Sequence, residues 1–74
     1  MTKLQLALEI ANPDIIVTEL MLQHMKQWCL RNEEYGRGIL QGIYAPVWKD
    51  DVLQLYKYPE NLAIGIKERL KHVT

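Results

Sequence analysis

The stretch Glu33–Trp48, EEYGRGILQGIYAPVW, holds three of the four glycines of a 74-residue chain. Read one way it is a glycine-rich phosphate loop. Read the other way it is where a helix stops and a strand begins. A phosphate loop needs G-x-x-x-x-G-K-S/T opening a helix, so that its lysine and backbone amides meet the phosphates. A dinucleotide fingerprint needs G-x-G-x-x-G between a strand and a helix. Gly36, Gly38 and Gly42 follow a helical pattern instead of preceding one, and their spacing is G-x-G-x-x-x-G with no GK. The structural reading is therefore preferred. Gly36 stands where a left-handed helix cap is expected, Gly38 allows a further turn, and ILQGIYAPVW reads as a strand. Pro46 confines that strand to an edge or to its own end, and Gly42 within it marks a bulge or a close backbone approach.

Upstream, an amphipathic helix is expected from Thr18, or as early as Asp14, to Tyr35. At about 100° per residue, Val17, Met21, Met25, Trp28, Cys29, Asn32 and Tyr35 gather on one side, with polar residues opposite. Leu20 and Leu30 fall among the polar ones. Before it, ANPD breaks the chain, because Asn12 precedes Pro13 and is held away from helical geometry. Lys3–Ile10, KLQLALEI, alternates strictly, with Leu4, Leu6, Leu8 and Ile10 on one side, which predicts a half-buried strand. Its composition of Leu, Ala, Gln and Glu favours helix instead.

Downstream, KDD is a loop and VLQLYKY a second extended run, giving a hairpin. A rival reading caps a short helix at Asp50 and runs it to Tyr58. Pro59 suits a first helical position and opens a helix whose Leu62, Ile66, Leu70 and Val73 share a face. Ile64 stands on its polar side, and Glu68 can pair with His72 one turn on. The order strand, helix, strand, strand, helix predicts a single α+β domain over residues 1–74, a small βαββα-like fold with two amphipathic helices on one face of a short sheet. The alternative is all-α, with residues 3–11 and 51–58 as short helices.

Composition narrows function. A chain this short buries only about 60% of its unfolded surface, and such chains often need a disulfide, a metal or a second subunit. The single Cys29 excludes an internal disulfide and an all-cysteine zinc site. The remaining staple is a partner subunit, and another copy of the chain would serve. The amino-terminal stretch lacks the uninterrupted apolar region of a signal peptide, and no run reaches the length of a membrane span. One free thiol fits a reducing cytoplasm.

No cofactor is implied. His24 and Cys29 lie about 140° apart around a helix and cannot grip one ion from it, so no metal site is expected, and Asp50 and Asp51 read as loop residues. The chain has no serine, and a Cys29–His72 pair would require the two helices that carry them to face each other. No catalytic set is expected.

Two binding readings remain. The first is a regulatory or protein-interaction module that self-associates as a homodimer, or takes another protein partner, through Leu20, Leu30, Tyr44, Trp48, Tyr56, Tyr58 and Ile64. Aromatic anchors of this kind dominate interface energies. The second uses Lys57, Lys67, Arg69 and Lys71, with nearby tyrosines, to hold nucleic acid. The zero net charge weakens it, because phosphate neutralisation drives such binding.

Overall fold

The computed structural model describes residues 1–73. They form α1 (Lys3–Ala11), α2 (Glu19–Arg31), α3 (Glu33–Leu40), β1 (Tyr44–Lys49), β2 (Val52–Lys57) and α4 (Glu60–Lys71). The α+β class holds, and the hairpin excludes the all-α alternative. The element order does not begin as expected, since three helices precede the hairpin.

Lys3–Ala11 is a helix, not a strand. The alternation of Leu4, Leu6, Leu8 and Ile10 is real, but it ignores alanine. Counting Ala7 and Ala11 as apolar gives Leu4, Ala7, Leu8 and Ala11 at i, i+3, i+4 and i+7, the stripe of an amphipathic helix. Ala7 and Leu8 are buried. Thr2 fixes the start by accepting the Gln5 backbone N–H on its hydroxyl at 3.1 Å, which satisfies one of the orphan donors of the first turn.

The expected long helix is broken at Asn32. This residue closes α2 and opens α3 at once. Its side-chain amide folds back and donates to the Trp28 carbonyl at 2.9 Å. Asn12 ends α1 the same way, donating to Leu8 O at 2.7 Å, and the two asparagines share nearly the same backbone angles, φ −132° and φ −131°. Asparagine competes with the helix for its own hydrogen bonds, and here it ends two helices by the same device.

Gly36 is therefore not a cap. It lies buried inside α3, where a Cβ would stand 3.0 Å from Cys29 Cβ, so its bare backbone is what lets α3 pack on α2. Gly38 lies in the same helix against the Tyr44 ring. The left-handed cap comes at Gly42, with φ 80°. The Gly42 N–H donates to Ile39 O at 3.2 Å and the Ile43 N–H to Gly38 O at 2.9 Å, the paired bonds of a Schellman motif. The expected strand accordingly starts only at Tyr44.

The hairpin pairs Tyr44 with Lys57 through to Lys49 with Val52, antiparallel. Asp50 and Asp51 form its two-residue turn with φ 52° and 60°, the left-handed geometry such turns need to match strand twist. Pro59 caps α4. The centre of the core takes one residue from each helix: Leu8, Met25, Ile39 and Leu70, none more than 1% exposed. The face read for α4 is only half right. Leu70 is buried and Ile66 packs on the core, but Leu62 is 54% exposed. Glu68 pairs with Lys71 at 3.6 Å and not with His72.

Candidate interaction surface

The apolar residues read as misplaced are exposed. Leu20 is 77%, Leu30 70% and Ile64 69% accessible. They do not meet. Leu20 shares a shallow groove with Met21, His24 and Trp48, between α2 and the hairpin. Leu30 borders a second groove with Leu4, Cys29 and Leu40 along α2 and α3, rimmed by Lys26, Glu33 and Arg37. Ile64 lies in a third, with Ile43, Ala63 and Lys67. All three are open to solvent.

The aromatic residues divide. Trp48 is half-buried against the core, with the His24 ring edge-on to it at 5.0 Å. Tyr44 also packs on the core and meets Tyr35 at a ring distance of 5.4 Å. Tyr58 is half-buried, and its hydroxyl is enclosed with no hydrogen-bond partner among the described residues. Desolvation pushes the Tyr58 phenol above its ordinary value. Tyr56 is the one that faces outward, at 54% exposure, with its hydroxyl donating to Gln54 Oε1. Burial likewise pushes the Cys29 thiol up, which disfavours its nucleophilic thiolate form.

Lys57, Lys67, Arg69 and Lys71 are all exposed. Lys67 and Lys71 lie one turn apart on α4, while Arg69 points about 160° away from Lys67, and Lys71 is engaged by Glu68. They do not make one basic stripe.

A feature missed in the sequence is the treatment of the sheet edges. Asn12, buried at the end of α1, reaches β1 with both ends of its amide. Its Nδ2 donates to Pro46 O at 3.0 Å and its Oδ1 accepts the Trp48 N–H at 2.8 Å. One side chain thus stands in for a third strand. Pro46 fits there because its missing N–H would face outward and not into the ladder. In an antiparallel pair, directly opposed residues turn their backbone groups the same way, inward or outward. Pro46 and Trp48 face outward, so their partners Leu55 and Leu53 face outward on the far edge. Among the described residues, no hydrogen bond from outside the hairpin reaches Leu53, Leu55 or Lys57. Edge strands without such cover are templates for pairing.

No protein-family model, curated protein or solved structure matches the chain. Among the described residues, no helix is long and apolar enough to cross a membrane.

Proposed function

We propose that this chain is a small non-catalytic interaction or regulatory module of the cytoplasm that self-associates as a homodimer. One observation carries the reading. Seven apolar residues are buried, two of them alanines, while twelve large apolar residues stay exposed among the described residues. This is not a matter of shape: the radius of gyration is 11.2 Å, close to the roughly 11 Å of any compact chain of this length. Scattered exposed leucines are ordinary. A chain that leaves more large apolar side chains outside than inside, however, keeps apolar surface in reserve for a partner to cover.

Sedimentation equilibrium of the purified chain across a wide concentration range tests this. The expected result is a reversible shift from the 8.7 kDa monomer to twice that mass. A strict monomer at every concentration would remove the self-association, and a protein partner would then have to be the chain's whole business.

A further inference from the structure

We infer that the outer edge of β2 is the dimer surface, and that its occupant is β2 of a second copy. This rests on the self-association proposed above and names the surface for it. The two copies run antiparallel about a two-fold axis at Gln54, so that two hairpins become one four-stranded sheet in the order β1, β2, β2, β1.

Three observations converge on this edge. The first is asymmetry. The hairpin has two outer edges, and the fold closes one of them with Asn12. The helices pack close along β1, while β2 lies outermost, with β1 as its main neighbour. The outward N–H and C=O groups of Leu53 and Leu55 have no partner from elsewhere in the described chain.

The second is the register. With the axis at Gln54, Leu53 lies opposite the partner's Leu55 and exchanges both of its outward backbone bonds with it. The symmetry repeats this, giving about four new hydrogen bonds. Val52 then lies opposite the partner's Tyr56. Val52 and Tyr56 are the two large apolar residues of β2 left exposed, at 56% and 54%, and this pairing covers both twice over. β-branched and aromatic side chains directly opposed across strands are a favourable pair.

The third is charge. One step further, Lys57 meets the partner's Asp51, and Asp51 meets the partner's Lys57. Opposite charges at both ends of the pairing favour this register over a slipped one. A second copy is therefore matched in backbone, in apolar side chains and in charge. A six-residue edge covers less than the roughly 800 Å² a side of a standard interface, so the dimer should form in the micromolar range or above.

The experiment uses the full chain with Cys29→Ala and Gln54→Cys. Residues on the axis at a non-hydrogen-bonded pair have Cα atoms about 4.5 Å apart, inside the roughly 4.4–6.8 Å window of a disulfide. Oxidation with diamide should convert most of this variant to a covalent dimer. Lys49→Cys in the same background should stay monomeric, because the two β1 strands are separated by three strand spacings, about 14 Å. In parallel, amide exchange of the unmutated chain is followed against concentration. Leu53 and Leu55 should slow as dimer forms, while Gln54, already paired within the hairpin, should not change. A chain that associates in sedimentation but neither crosslinks at position 54 nor protects Leu53 and Leu55 would overturn the β2 edge and leave self-association standing. A chain that never associates would overturn both.

Discussion

Asn12 Oδ1 accepts the backbone N–H of Trp48 at 2.8 Å, across 36 residues of chain. The same side chain holds Pro46 O and the Leu8 carbonyl, so it ends a helix and closes a sheet edge together. Asn12→Ala would strand a strand N–H and a carbonyl in a place where the residue itself is only 6% exposed. Each such group costs about 1–3 kcal/mol. A loss of about 2–6 kcal/mol is expected, read as a lower urea midpoint. A domain of this size has only about 4–11 kcal/mol in all. A midpoint unchanged from the parent would show that the amide contributes nothing.

Two glycines should respond oppositely to alanine. Nothing lies within 4 Å of where a Cβ on Gly65 would stand, and Gly65 is inside α4. Gly65→Ala should gain roughly 0.5–1 kcal/mol from helix propensity alone, a rise of several degrees in Tm. Gly42 has φ 80°, and its Cβ would press on Lys67 N at 3.0 Å and Ile66 at 3.1 Å. Gly42→Ala should lose at least about 1–2 kcal/mol from backbone strain. Thermal unfolding of the two variants side by side decides both.

Stability should fall on the alkaline side. Burial raises the Cys29 thiol and the Tyr58 phenol. Each therefore holds its proton in the folded state at a pH where the unfolded chain has lost it. Their contribution is whole below the unfolded values, about 8.5 for Cys and 10 for Tyr, and is lost as pH rises through the higher folded ones. Urea midpoints taken from pH 7 to 11 should decline, and Cys29→Ala should flatten the earlier part of the decline while Tyr58→Phe flattens the later. Parallel curves for all three proteins would disprove the assignment.

Dimerisation should ignore the helix leucines. Leu30 borders a groove along α2 and α3, and Leu20 one that reaches Trp48 and the turn residue Asp51, but neither groove is lined by a residue of β2, so Leu20→Glu with Leu30→Glu should leave the fold within about 0.5 kcal/mol per site and the dimer intact. Val52→Lys with Tyr56→Lys should make the chain monomeric, because each lysine would face another across the axis. Sedimentation of the two double variants would reverse in order if the helix face were the interface.

The hairpin, the last helix and the boundary at Asn12 were legible in the sequence because Pro59, the Asp pair and Asn-Pro act locally. The first helix was signalled only by its composition, since alternation at Leu4, Leu6, Leu8 and Ile10 carries the strand period, and the helical one shows once Ala7, buried in the fold, is counted as apolar. Gly36 misled for a related reason. A glycine placed for close packing against Cys29 looks the same in one dimension as a glycine placed to end a helix. The exposure of Leu20, Leu30 and Ile64 followed from helical period. The open β2 edge did not, because it depends on which strand Asn12 reaches, a contact no local pattern encodes.

The single deep anchor of α4 has a consequence for how the molecule comes apart. Leu70 is the only buried residue of that helix, and α1 is the main element it packs against. A helix held so lightly opens at a small fraction of the global unfolding free energy. Helix α4 as a unit should be the first part of the chain to detach, and a protease arriving at the folded protein would begin there, leaving the three-helix and hairpin unit to be degraded later.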